Sequence, residues 1–144
     1  MPRKRSPRGR LLKPGGWLFG AVISRWASVL DGLARNLLQD CRFVAIVQRD
    51  LQDGQHRNPT DRLDFFTTSY FHKPSDALME TAGAGFANAR VFGIEGPGWL
   101  FPDVQERMSD PRRRADLLLA ARMVESEPSL IGLSAHLLVV AQKS

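Results

Sequence analysis

The amino-acid sequence predicts an α/β fold, in which helices cover both faces of a sheet. An apolar run with no helical period, Trp17–Ile23, directly follows a Lys-Pro-Gly-Gly turn, which is typical of a strand buried on both faces. Apolar residues at helical spacing come next, and a continuous apolar run near the end indicates an interior strand. Because ligands bind beyond the carboxyl ends of strands in open sheets of this kind, we expect Ser24 and Arg25 at a cleft.

Helix start and stop signals divide the rest of the chain. Apolar spacing predicts an amphipathic helix from Trp26 to Leu37. Asp40 is a suitable cap for a second helix, which Gly54 ends. Two further helices are predicted to begin at Pro74 and Pro111, because proline fits the first helical turn. The predicted strands are about 17–24, 89–94 and 134–141.

Basic charge is concentrated at the start of the chain. The formal net charge is +5, but residues 1–13 carry six basic side chains and no acidic one, leaving fourteen bases against fifteen acids, a net charge of −1, in the remainder. This composition predicts a disordered basic arm over residues 1–10. Such arms can bind phosphates, but no aromatic residue is interleaved here and no nucleic-acid module follows, so a nucleic-acid partner is not favoured.

Cysteine usage and hydropathy indicate a cytoplasmic protein. The single Cys41 rules out an internal disulfide and a cysteine zinc site, which agrees with a reducing compartment, and no metal is implied. The basic start lacks the apolar core of a secretory signal. An unbroken apolar run such as Leu137–Ala141 is far shorter than the roughly 20 residues that span a bilayer. We therefore expect a soluble protein with no membrane partner.

A series of short motifs extends from about Leu11 to Lys143. In chain order they are Lys-Pro-Gly-Gly before the first strand, Gly-Gln-His-Arg-Asn-Pro-Thr from Gly54, Phe-Thr-Thr-Ser-Tyr-Phe-His from Phe66, Ala-Gly-Ala-Gly-Phe from Ala82, Glu-Gly-Pro-Gly-Trp from Glu95, and Ser-Ala-His-Leu-Leu-Val-Val-Ala from Ser134. Together they resemble the C-terminal half of class I S-adenosylmethionine-dependent methyltransferases, of the methyltransferase type 11 kind.

The resemblance implies a partial Rossmann-like methyltransferase sheet. In that family the strand order is 3-2-1-4-5-7-6, so 17–24, 89–94 and 134–141 would be the fifth, sixth and seventh strands, the seventh antiparallel. Residues 26–72 would form the helical cap over the substrate. The implied function is transfer of a methyl group from S-adenosylmethionine to a small-molecule acceptor.

The sequence departs from this family in its cofactor-binding residues. Family members hold the cofactor with a glycine-rich turn after the first strand and an acidic residue after the second, and neither is found here. Gly83–Gly85 follows a helix, and Gly96–Gly98 contains a proline. We therefore expect 11–144 to be the C-terminal half of a methyltransferase domain, truncated and inactive alone, with no cofactor-binding residues of its own.

A non-catalytic role in a complex is the alternative. Loss of the neighbouring fourth strand would expose the hydrogen-bonding edge of residues 17–24, which invites pairing with another chain. The partner would be a separate N-terminal half or a second copy. A basic nucleic-acid-binding protein is a third possibility that depends only on the N-terminal arm.

Within this resemblance, the candidate catalytic bases are two histidines of the cap. His56 and His72 qualify because a base that works near neutral pH is most easily a histidine. Arg57, Asn58 and Tyr70 are candidates to hydrogen-bond the substrate. The alternative is structural: His56 and Asn58 fasten a loop, and His72 flanks a helix start.

Three residues outside this cluster complete the candidates. Arg25, at the end of the first strand, either holds a substrate anion or pairs with an acid on the cap. Trp99 either lines the substrate pocket or packs as an ordinary aromatic residue. His136 is interpreted as a core histidine, because it lies within a predicted buried strand.

Overall fold

A computed structural model describes residues 12–144 and confirms the α/β class. The predicted basic arm of residues 1–10 lies outside the described residues. The strands are β1 (Trp17–Ser24), β2 (Gln55–His56), β3 (Ser69–His72), β4 (Phe86–Gly93) and β5 (His136–Lys143), and the α-helices are α1 (Ala27–Ala34), α2 (Cys41–Asp53), α3 (Pro74–Gly83), α4 (Val104–Ser109) and α5 (Pro111–Val124). No helix within 12–144 is long and apolar enough to cross a membrane.

The strands form one mixed sheet in the order β2-β3-β1-β5-β4. β1 pairs with β5 in antiparallel fashion over Trp17–Ile23, and β5 pairs with β4, also antiparallel. On its other side β1 meets β3, which is parallel to it and pairs only at Ile23 and Ser24. β2 then pairs with β3 in antiparallel fashion.

The prediction of three strands was therefore wrong in number. β2 and β3 both lie in the stretch 26–72, which was predicted to be a helical cap. β2 is two residues long, and β3 is four residues long. Strands this short are defined by their partners in the fold rather than by a pattern of their own, so the sequence carries little signal for them.

Helix ends follow the local sequence closely. The Asp40 side chain accepts a hydrogen bond from the Arg42 N–H at the start of α2, and Gly54 ends the helix at φ +78°. The side-chain hydrogen bond from Arg42 lowers the pKa of Asp40 to about 2. α1 stops at Ala34 rather than Leu37, because Asn36 adopts a left-handed conformation and a short 3-10 turn follows.

The prediction that β1 is buried on both faces was also wrong. Trp17 and Phe19 are 56% and 67% exposed. The residues of β5 on the opposite face, Leu137, Val139 and Ala141, are buried, and α3 packs against β4 and β5. Helices in the described part of the chain thus leave one face of β1 uncovered.

The cap region has a small core of its own. Phe43, Ile46 and Val47 of α2 pack with Phe65, and the Phe43 and Phe65 rings lie 5.0 Å apart at their centroids. Partly buried residues of α1 and of the following turn complete the cluster. This core holds α2 and the Leu63–Phe65 turn over the end of the sheet.

We predict that Gly54→Ala lowers the free energy of unfolding by about 2 kcal/mol, because Gly54 has positive φ and an added Cβ would collide with the Phe71 carbonyl and the Arg25 guanidinium. Gly20→Ala is the matched control, since a Cβ there meets nothing within 4 Å among residues 12–144. Its change should stay within about 0.5 kcal/mol. Urea denaturation measures both, and equal effects would contradict the close approach at Gly54.

Candidate active site

Three strand ends meet at one edge of the sheet, namely the edge at which β1 terminates. This edge is distinct from the hydrogen-bonding edge that runs along the length of β1 and is largely unpaired within residues 12–144. Ile23, next to the carboxyl end of β1, is the register partner of His136, the first residue of antiparallel β5. Gly93, the last residue of β4, pairs with the following residue, Leu137. The Ile94 N–H donates to the His136 carbonyl at 3.0 Å, which brings the segment after β4 to the same place.

A cavity of about 320 Å³ lies at this edge. Its walls come from the end of β1, from α1, from the cap region and from the turn after β4. Most of the lining is apolar, which is usual for a pocket that binds a small molecule. The aromatic residues that line it are Phe43, Phe65, Phe66, Phe71 and Trp99.

Few polar groups of the cavity are free to meet a ligand. Asp31 and Arg35 pair with each other at 2.9 Å across one turn. Ser28, on α1, is 6% exposed, and its Oγ has no hydrogen-bond partner. A buried hydroxyl without a partner costs free energy, and this one belongs to a residue that lines the cavity.

His136 forms a close pair with Glu95 at the mouth of the cavity. Its Nδ1 lies 2.5 Å from Oε1 of Glu95, and its backbone N–H donates to Oε2 of the same carboxylate at 3.0 Å. Nδ1–H therefore donates to the carboxylate, so that in the neutral ring Nε2, for which residues 12–144 supply no hydrogen-bond partner, is the acceptor. The interpretation of His136 as a core residue was wrong: as the first residue of β5 it is exposed beyond the covered part of the sheet.

His56 lines the same cavity, but both of its nitrogens are already engaged. It is 1% exposed, with Nδ1 2.8 Å from Oδ2 of Asp50 and Nε2 2.8 Å from the Phe65 carbonyl. Burial by itself lowers the pKa of His56, but hydrogen bonds with Asp50 and Phe65 outweigh it and the net shift is upward. Since both partners are acceptors, the ring is a doubly donating imidazolium that fastens the cap.

Arg25 is held in a network of its own, outside the cavity lining. The side chain is buried; Nε donates to the Phe71 carbonyl at 2.8 Å, and one terminal nitrogen donates to Asp76 at 2.8 Å and to the Tyr70 hydroxyl at 3.4 Å. Asp76 belongs to the first turn of α3, just beyond the predicted cap. Of the two readings of Arg25, the geometry favours pairing with an acid over holding a substrate anion.

The remaining predicted residues are placed as follows. Nε2 of His72 lies 3.3 Å from Glu80, and the exposed Arg57 donates to Gln55. Asn58 donates to two carbonyls of its own loop. Trp99 lines the cavity, and its Nε1–H donates to the Leu133 carbonyl at 2.8 Å. The cavity thus brings together His56 and Trp99 of the predicted set, whereas the other five lie outside its lining.

Sequence reasoning missed the His136–Glu95 pair, although a signal for it was present. If the last strand is antiparallel to the first, its first residues must lie beside the carboxyl end of the first strand. A histidine at that position belongs to the ligand-binding edge rather than to the core. The Glu-Gly-Pro-Gly motif ends β4 at the same edge, so Glu95 could have been placed there too.

The glycine motifs do not fit S-adenosylmethionine. Gly83–Gly85 joins α3 to β4 rather than a strand to a helix. In the second motif Pro97 has no N–H, and the Gly96 N–H already donates to Ser134 Oγ.

Within residues 12–144 there is also no cluster of three or more His, Cys, Asp or Glu side chains that could hold a metal ion.

Comparison with known proteins adds no identification. No family model matches the sequence, and no curated protein is significantly similar to it. Function is therefore inferred from the geometry of the cavity together with the resemblance of the sequence motifs.

The raised pKa of His56 gives stability a predictable pH dependence. The protonated ring stabilises the folded state fully below its unfolded pKa of about 6.5, and this contribution is lost as pH rises through the higher folded pKa. The free energy of unfolding should therefore fall as pH rises above about 6.5. In His56→Gln the fall should be much smaller, and Arg57→Gln, which changes an exposed side chain of the same loop, should keep the wild-type profile. Urea titrations from pH 6 to 9 measure this, and an equal slope in His56→Gln would refute it.

Proposed function

We propose that residues 12–144 form the acceptor-binding part of a Rossmann-like, S-adenosylmethionine-dependent methyltransferase whose substrate is a small, mainly apolar molecule. The observation that carries the proposal is the aromatic-lined cavity of about 320 Å³ at the carboxyl end of β1. It has the size and lining of a small-molecule site, and it lies where ligands bind in open α/β sheets.

Strand order also supports the proposal. β1, β5 and β4 are neighbours in that order, with β5 antiparallel to both. The resemblance implies this arrangement for its fifth, seventh and sixth strands, and the cavity lies on the side where the cap is expected.

The exposed, free Cys41 is compatible with the cytoplasmic location that we propose.

In this function the chain positions the acceptor and excludes water from it. Methyl transfer from a sulfonium is an in-line displacement, so orientation and a dry site contribute much of what a protein can offer. S-adenosylmethionine would bring the reactive methyl group. Because residues 12–144 do not fit that cofactor, we propose that its site is supplied by an N-terminal half that lies outside these residues and acts as the partner of this part.

The free edge of β1 is a suitable place for such a partner. β3 occupies this side only at Ile23 and Ser24, so residues 17–22 have no strand neighbour there among residues 12–144. The same segment carries the exposed Trp17 and Phe19 rings. Unpaired edges with apolar side chains bind added strands readily.

Methyl transfer is tested by adding the purified chain to an extract of source cells that lack its gene, with methyl-labelled S-adenosylmethionine. We expect an additional labelled, organic-extractable small molecule that forms only when the chain is added, and no label in small molecules with the chain and cofactor alone. Ser28→Leu, which fills the cavity without removing a hydrogen bond, should lower the label at least tenfold. Ala45→Leu, on the exposed side of α2, should not. If every labelled species also forms without the chain, the proposal is refuted.

The second candidate function, a subunit that pairs through β1, is favoured by the exposure of Phe19. We predict that the purified chain self-associates and that Phe19→Lys shifts it toward monomer, because charged residues on an edge strand oppose pairing. Leu118→Lys, which changes a similarly exposed apolar residue on α5, should leave association unchanged. Size-exclusion chromatography with light scattering measures the mass. A wild-type monomer at all concentrations would count against this role.

A further inference from the structure

The His136–Glu95 pair is built as an oriented proton acceptor. The Glu95 carboxylate accepts hydrogen bonds from both the backbone N–H and Nδ1–H of His136. These two bonds together fix the orientation of the ring and place the proton of the neutral ring on Nδ1. Nε2 is left as the free acceptor nitrogen. A carboxylate at this distance also stabilises the imidazolium that forms when Nε2 takes a proton.

The cavity lining has a second feature that points to a polar group on the ligand. His136 lines the cavity, and so does Ser28, whose hydroxyl is buried and has no partner. The charged side chains around the cavity pair with each other: Asp31 with Arg35, and Asp64 with Arg62. An uncharged ligand with one hydroxyl or similar group therefore fits better than an anion or a cation.

We propose that His136, positioned by Glu95, is the base that takes a proton from a hydroxyl group of an aromatic ligand bound in this cavity. The ligand O–H bond breaks, the proton moves to Nε2, and the electron pair stays on the ligand oxygen as a nucleophile. The resulting imidazolium remains hydrogen-bonded to the Glu95 carboxylate. His136 would be a catalytic residue and Glu95 a positioning residue.

The volume and lining indicate the ligand class. About 320 Å³ is near the small end of ligand pockets, which run from about 300 to 1,000 Å³. Aromatic rings on several walls favour a flat aromatic body. A phenol of one or two rings therefore matches the volume and the apolar lining of the cavity, and its hydroxyl can donate to the one acceptor, Nε2 of His136.

This inference deepens the proposed function and depends on it for its place in catalysis, but proton transfer can be measured without methyl transfer. The probe is 2-naphthol, which becomes a strong acid when excited and emits at longer wavelength once it has lost its proton. Its methyl ether, 2-methoxynaphthalene, has the same rings and no proton to give. Both are titrated into the whole chain, and emission is recorded with protein in excess.

We expect the wild-type chain to bind 2-naphthol about fivefold more tightly than the ether, the worth of one hydrogen bond, and the bound probe to emit as naphtholate. In His136→Gln the preference should disappear and the bound probe should emit as neutral naphthol. Glu95→Gln should keep most of the preference but lose naphtholate emission, because an amide does not stabilise the imidazolium. His72→Gln, outside the cavity, should match the wild type, and Ser28→Leu should bind neither probe.

Three results would overturn the inference: no binding of 2-naphthol to the folded wild-type chain, naphtholate emission that persists in His136→Gln, or a Glu95→Gln variant identical to the wild type. Failure of the methyl-transfer experiment with success here would leave a phenol-binding proton acceptor and remove only the methyltransferase. The two proposals are thus separately testable.

Discussion

The antiparallel pairing of β1 with β5 is the constraint on which the site depends. Its register places Ile23 beside His136 and buries Leu137, Val139 and Ala141 on one face. A slip of one residue would exchange the two faces of β5, so the buried face strongly specifies the pairing. Once this register is set, the β4 pairing brings Gly93 to the same edge, and the Glu95 that follows it reaches His136.

Buried polar networks then fasten the cap to that edge. Asp50 and His56 tie α2 to the Phe65 carbonyl, and Arg25 ties β1 to Phe71 and α3. Asp50 and Arg25 are each buried beside an oppositely charged partner, because an unpaired buried charge costs several kcal/mol. The residues that look most reactive in the sequence are therefore occupied, and the freer groups lie at strand ends.

The fold class, the helix caps at Asp40 and Gly54, and the helix start at Pro111 could be predicted because they follow local rules of backbone hydrogen bonding and conformation. β3 could not, since its two pairs with β1 depend on how the cap folds back. The same limit applies to the site. Residue type alone could not distinguish the engaged His56 from the freer His136, because the difference is in their partners, which the sheet register and the cap together supply.

Within the described residues, the unpaired hydrogen-bonding edge of β1 ends at β3, which forms part of the cavity wall. Residues 17–22 offer room for a partner strand of about six residues, an ordinary strand length. A longer strand would have to displace β3, because Phe71 and His72 already occupy this side of Ile23 and Ser24. Phe71 stacks on His56 at 4.8 Å, lines the cavity and provides the carbonyl that Arg25 grips. A partner that pairs along the whole of β1 would therefore reshape the wall of the cavity. Association at this edge and ligand binding would then be coupled through the two residue pairs that join β1 to β3.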